Sequence, residues 1–231
     1  MNDIRENLFR VRERIEKACA RSGRAPDDVT LIGVTKTKPA EFVEEAIAAG
    51  IRDIGENKVM EAVAKKAQVS GKATWHLIGH LQRNKVRKAL QNFDLIHSVD
   101  SLRLAEKIDQ ESGKLGKTTS VLLQVNTSRE TSKFGVQLED ASTFAEQVAS
   151  SYSNIVVKGL MTIGPLSPDQ KLIRASFRAL YALFDELGRR DFPRMEMKYL
   201  SMGMTNDFEI AIEENANMLR LGRVIFGDRA V

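Results

Sequence analysis

The chain contains a single cysteine, Cys19, among its 231 residues. That excludes an intramolecular disulfide and any metal site built from several thiolates. Tryptophan occurs once and tyrosine three times, with aromatic residues at only 6%, which leaves little from which to build a stacking platform for nucleic-acid bases. No apolar run approaches the ~18–20 residues needed to cross a bilayer. No Gly-x-Gly-x-x-Gly follows an early strand-like segment, so the dinucleotide fingerprint of an open doubly wound sheet is missing. Met1 to Arg14 is charged and without the apolar stretch of a signal peptide, and a cytoplasmic location is expected. No linker-like or low-complexity stretch interrupts the chain, so one domain spanning residues 1–231 is expected.

Hydrophobic residues at 42% are ample for a buried core, and charged residues at 29% fit an ordinary globular protein. The net charge of +4 suits an anionic ligand. Ile4, Leu8, Val11, Ile15 and Cys19 recur at spacings of three and four, which predicts an amphipathic helix over 3–21, ended by Gly23 and followed by Pro26. Strand-like runs then appear at 29–35, 51–55, 74–79, 95–99, 120–126, 155–161, 197–201 and 218–221. Helical segments at 41–49, 58–69, 84–91, 101–112, 138–150, 168–187 and 208–214 separate them. Strand–helix alternation requires parallel pairing, because each return crossover is a helix. The expected fold is a (β/α)8 TIM-type barrel, with the extra N-terminal helix covering one end or side.

Active sites of such barrels form at the C-terminal strand ends, and polar and small residues crowd there: Thr35-Lys36-Thr37-Lys38, Gly55-Glu56-Asn57, Gly79-His80, Asn126-Thr127, Met161-Thr162, Ser201-Met202-Gly203, and Arg220-Leu221-Gly222-Arg223. By period-two alternation Lys36 shares a face with Thr30, Ile32 and Val34. If that face is the interior, the amine sits partly desolvated at the barrel mouth, and burial with a nearby cation such as Lys38 favours the uncharged, nucleophilic form. A solvated loop lysine is the plainer reading of Lys36 taken alone. Ser201, Gly203 and Gly222 make a candidate phosphate site after the last two strands, where glycines let backbone N–H groups approach an anion; tight turns are the plainer reading of those glycines.

The stretches VTKTKP (34–39), IGENKV (54–59), WHLIGHLQRNK (75–85), GLMTIG (159–164), LSMGMTNDFEIAI (200–212) and RLGRVIFG (220–227) span most of the chain in order. Through them the sequence resembles the pyridoxal phosphate homeostasis protein family, whose fold is like the N-terminal barrel of alanine racemase (PLP fold type III). The resemblance implies pyridoxal 5′-phosphate (PLP) held as a Schiff base on Lys36. It implies the cofactor phosphate on Ser201 and on backbone N–H groups around Met202, Gly203, Gly222 and Arg223. It sets Arg220 against the pyridine nitrogen, Asn57 and His80 near the ring or its open face, and Met161 in the pocket wall.

PLP catalysis uses the protonated pyridine as an electron sink. A cation at that nitrogen opposes its protonation, and related racemases draw a tyrosine base from a further C-terminal domain. The chain ends at Val231, soon after Gly222, and Tyr152, Tyr181 and Tyr199 lie outside the rim motifs. The expectation is therefore a PLP carrier or regulator in PLP homeostasis, monomeric or weakly oligomeric, that passes PLP to acceptor apoenzymes. No catalytic residue is assigned. The competing reading is a PLP-dependent amino-acid racemase or related enzyme. A nucleic-acid partner is not expected: the cluster Arg83–Lys88 and the arginines of the first helix are interleaved or read as solvated faces. No metal site is expected, since His76, His80 and His97 lie on separate strands and loops; packed or hydrogen-bonded roles are the default for His76 and His97, and a core role for Cys19.

Overall fold

The computed structural model describes residues 3–128, 130 and 133–228. The chain opens with α1 (Ile4–Ser22), started by Asp3, whose carboxylate accepts from the amides of Arg5 and Glu6, and ended by the left-handed Gly23. Its stripe of Ile4, Leu8, Val11, Ile15 and Cys19 is buried. Burial also raises the Cys19 thiol above its ordinary value, consistent with a core side chain. The helix joins the outer helical layer. Asn7 donates to the carbonyl of Ile225, Arg14 and Arg21 pair with Glu209 and Glu213, and Arg24 donates to the carbonyls of Ile212 and Ala216.

Strands β1 (Thr30–Val34), β2 (Asp53–Glu56), β3 (Thr74–Leu77), β4 (Leu95–Val99), β5 (Thr119–Asn126), β7 (Ile155–Met161), β8 (Met195–Ser201) and β9 (Met218–Leu221) are all parallel. They follow one another around a closed ring, with β9 returning to β1 and β4 joined to β5. This is the expected (β/α)8 barrel. The helices between them are α2 (Ala40–Ala48), α3 (Val59–Lys66), α4 (Val86–Asn92), α5 (Leu102–Lys114), α6 (Ala141–Ser151), α7 (Gln170–Gly188) and α8 (Phe208–Glu213). Two short elements went unforeseen: β6 (Val136–Gln137), which pairs in parallel beside the end of β5, and α9 (Arg223–Phe226) behind the last strand. Elements of two and four residues are too short to show a period. Among the described residues no helix is long and apolar enough to cross a membrane.

Alternation along the strands sorts side chains into two cores. Ile32, Val34, Leu95, Leu122, Met161 and Met218 pack together inside the barrel. Their neighbours Ile54, Trp75, Leu77, Ile96, Val121, Leu123, Leu219 and Leu221 face outward and pack under the helices with Phe177, Phe208 and Phe226. Each such large side chain contributes about 1.5–3 kcal/mol of burial. The inner core is small because polar residues occupy the rest of the interior: His76, His97, Ser201 and Arg220 are all buried there.

Candidate active site at the barrel mouth

Lys36 lies in the turn that leaves β1 and is half-buried. Ile32 and Val34 belong to the inner core, and continuing their alternation puts Lys36 on the interior side of the C-terminal mouth. The residue before it faces the other way: Thr35 donates its hydroxyl to Glu56 Oε1 at 2.6 Å. Lys65 of α3 ties that turn down, donating to the Thr35 carbonyl at 2.6 Å, to Glu56 Oε1 at 2.7 Å and to Glu61 Oε1 at 2.8 Å. Glu61 also accepts from the amide of Thr37 at 2.6 Å, a residue held at φ 65. Burial pushes the Glu56 carboxyl upward, against the pull of Lys65 and Thr35. Lys38 is spent elsewhere, donating to the Asp228 carbonyl at 2.6 Å, so the cation expected beside Lys36 is directed to the C-terminal segment.

Beside β1 in the ring, β9 and then β8 bring Arg220 and Ser201 together in the interior. Arg220 donates through Nη1 to Ser201 Oγ and through Nη2 to the Thr162 carbonyl, both at 2.7 Å. Burial lowers its guanidinium to about 10, while the charge of Asp207 acts in the other direction. It therefore remains a cation at neutral pH, with its hydrogen bonds going to neutral groups. A buried cation so bonded favours an anion in the adjoining space. Asp207, itself raised by burial, receives the Met204 amide at 2.5 Å and so shapes the segment after Ser201.

Gly203 in that segment has φ +97, and a Cβ there would sit 2.7 Å from the Cβ of Ala211. Only glycine lets the backbone pass between the mouth and α8 at this point. Gly222 caps the short α9, which Arg223 begins. Met202 is fully buried in the outer core, and its amide donates to the Met218 carbonyl at 3.2 Å. Of the amides expected around a phosphate, that of Met202 is thus engaged in holding β8 to β9. Met161 lies in the inner core, and Asn57 is half-buried beyond β2. A Cβ on Gly79 would come within 2.4 Å of the Asn57 carbonyl oxygen, so the loops after β2 and β3 touch directly. His80 is exposed, as is Arg223. His80 stacks on Phe134 with ring centroids 4.2 Å apart, and its Nδ1 lies 3.6 Å from Asp100.

The structure thus gathers Lys36, Met161, Ser201 and Arg220 about the barrel interior, with Asn57, Gly203, Gly222 and Arg223 around the rim and His80 at its outer edge. It also gives roles to residues that had none assigned at the site. Glu56, Lys65, Asp207 and the Thr162 carbonyl support the site from behind. His76 and His97 are hydrogen-bonded, as the default reading had it, and they connect to it directly: His97 Nδ1 is 3.1 Å from Ser201 Oγ, and His97 Nε2 is 3.0 Å from His76 Nδ1. His76 Nε2 is in turn 2.9 Å from Asp53 Oδ1. The only sequence signal for this row is that His76, His97, Ser201 and Arg220 share the inward parity of their strands.

A closed parallel barrel with a lysine at the mouth and a buried serine–arginine pair on the two strands beside it defines a class, and residues 6–230 match the family model for the alanine racemase N-terminal domain. The chain is 15% identical to an alanine racemase of Clostridium difficile, covering 99% of this chain and 57% of that one with a TM-score of 0.76, a likeness of fold alone. It is 40% identical over 225 residues to the pyridoxal phosphate homeostasis protein of Aquifex aeolicus, covering 97% of each chain. It is 37% identical to PipY of Synechococcus elongatus, solved with PLP bound, covering 93% of this chain and 100% of that one with a TM-score of 0.80. The chain belongs to the pyridoxal phosphate homeostasis protein family.

Proposed function

We propose that the protein binds PLP at the barrel mouth, with Lys36 as the amine that holds it, and serves to keep and hand over the cofactor inside the cell. The observation that carries this reading is the pairing of an interior-side lysine with Arg220, a buried cation whose hydrogen bonds go to neutral groups. The residues fit the group: an amine for its aldehyde, Ser201 and the backbone near Gly203, Gly222 and Arg223 for its phosphate, Met161 against its ring, and Asn57 and His80 at the open side. Met202 contributes through its place between Ser201 and Gly203. When bound, the cofactor supplies an aldehyde that amines take up reversibly, together with an electron-withdrawing ring.

The chain's own residues favour holding over turnover. Arg220 stays charged, and a fixed cation facing the ring nitrogen opposes protonation there, which weakens electron withdrawal. None of the three tyrosines supplies a base at the mouth: Tyr199 lines the N-terminal end of the barrel, Tyr152 bonds the Leu102 carbonyl, and Tyr181 lies on α7. The same reading covers residues 1–231 as one PLP-binding domain, cytoplasmic and monomeric or weakly oligomeric, with PLP-accepting apoenzymes as recipients.

The test is the absorption spectrum of the purified protein with and without added PLP. A lysine-bound chromophore is expected in the wild type and lost in Lys36→Ala; an unchanged band in the variant refutes the assignment. Incubation of the loaded protein with alanine in deuterated water separates carrier from racemase, since fast exchange at Cα belongs to the enzyme.

A further inference from the structure

A polar row crosses the barrel interior from one mouth to the other: Asp53, His76, His97, Ser201 and Arg220. Its ends differ in kind. Arg220 has only hydrogens to give, and an ionised Asp53 only lone pairs. With both histidines neutral, every hydrogen in between must point toward Asp53. Ser201 then donates to His97 Nδ1, His97 Nε2–H donates to His76 Nδ1, and His76 Nε2–H donates to Asp53. Ser201, already accepting from Arg220, has its one hydrogen committed inward. It shows a bound anion nothing but lone pairs.

One added proton reverses the row. His76 carrying hydrogens on both nitrogens donates to Asp53 and to His97 Nε2, and His97 then bears its hydrogen on Nδ1 and donates to Ser201. The serine oxygen accepts from both Arg220 and His97, and its own hydrogen turns toward the barrel mouth. The balance is one proton taken from water, with no bond between heavy atoms made or broken.

We propose that Ser201 is a switched donor, and that His76 and His97 are positioning residues which let it bind a phosphate group only as the Asp53–His76 pair takes up a proton. The proposal rests on the reading of the mouth as a PLP-type phosphate site. The Asp53 side is open: its side chain is 22% exposed, and with His76 it lines a cavity of about 300 Å³ at the N-terminal mouth. Asp94, Lys158, Glu196 and Lys198 are the other charged groups facing that cavity, and Lys158 is paired to Glu196. His97 is flanked by His76 and Arg220, with Asp207 acting on Arg220, and its total burial and these two neighbours hold it well below the ordinary histidine value. Of the two rings, His76 is the one set beside a carboxylate, with Nε2 2.9 Å from Asp53 Oδ1. Linkage is reciprocal: what the proton does for the ligand, the ligand does for the proton.

Pyridoxine 5′-phosphate, an alcohol in place of the aldehyde, tests this without engaging Lys36. Titration calorimetry of the full chain near pH 8, in two non-phosphate buffers of different ionisation enthalpy, should show uptake of about one proton per ligand, with affinity falling by up to tenfold per pH unit. His97→Phe should bind with no uptake. Because that variant is a core change, ¹⁵N spectra of the histidine rings provide a second readout on the wild type, which has three histidines. Ligand should move His97 from the Nε2–H to the Nδ1–H tautomer and make His76 doubly protonated. Binding with no proton uptake, or with both tautomers unchanged, overturns the switch while a normal PLP band at Lys36 leaves the site reading standing. Absence of both the band and pyridoxine 5′-phosphate binding overturns the site reading and the switch with it.

Discussion

Replacing Lys65 by methionine should loosen the very turn that presents Lys36. Lys65 is 8% exposed and Glu56 fully buried, and the ammonium makes three hydrogen bonds, to the Thr35 carbonyl, Glu56 and Glu61. Methionine keeps the stem and removes the charge, leaving the Glu56 carboxylate buried beside Thr35 alone. Among the described residues Glu56 Oε2 already has no hydrogen-bond partner. Breaking a buried pair from one side costs about 3–5 kcal/mol. With an m-value near 3 kcal/mol/M, a loss of about 4 kcal/mol moves the urea midpoint by roughly 1.3 M. Trp75, the single tryptophan and 2% exposed, reports the transition by fluorescence. The sign with pH is fixed as well. Glu56 has a raised folded-state value, raised further in the variant, so protonation relieves the deficit: the gap between variant and wild type should be widest above neutrality and narrow as pH falls toward 4.5. Glu56→Gln combined with Lys65→Met should recover much of the loss, and Lys65→Met should weaken PLP uptake at Lys36. A loss below about 1 kcal/mol at pH 7, or a gap indifferent to pH, would refute the claim that this pair secures the turn.

Two further outcomes follow from the same geometry. Gly203→Ala must accept φ +97 and a Cβ 2.7 Å from that of Ala211; a cost of about 2–4 kcal/mol is expected, read by urea melts, together with weaker phosphate-ester binding by calorimetry. His97 is held neutral in the folded barrel and becomes protonatable near pH 6.5 on unfolding, so its contribution is present above that pH and is lost below it, by about 1.4 kcal/mol per pH unit for one proton; melts of wild type and His97→Gln between pH 7.5 and 5.5 should show the shallower slope in the variant.

The barrel was readable because each strand is short, apolar and followed by an amphipathic helix, and the expected strand at 95–99 and helix over 3–21 agree with β4 and α1 to within a residue. The place of Lys36 at the mouth was readable because VTLIGVTK ends on it at the same parity as Ile32 and Val34. Expected helix 58–69 shortens to Val59–Lys66, since the chain turns away once Lys65 has reached Glu56. The supporting groups were hidden for a different reason. Parity says that His76 and His97 both face inward, but not that the registers of β3 and β4 set a nitrogen of one ring 3.0 Å from a nitrogen of the other. Nor does a single serine hydroxyl announce whether its hydrogen belongs to a ligand or to a histidine behind it. Pair contacts across strands depend on register, and register is a property of the closed ring, not of any one segment.

The embrace of α1 by the C-terminal helices has a consequence for how the protein is made. The apolar stripe of Ile4, Leu8, Val11 and Ile15 leaves the ribosome long before the surfaces that α8 and α9 offer it. The ring itself waits for β9 to enter between β8 and β1. Such long sequence separation slows assembly, because the loop-closure entropy comes before its reward. During synthesis the nascent chain carries an apolar helix face and two open sheet edges that await later segments, a state prone to aggregation. A truncation before Phe208 would leave that state permanent.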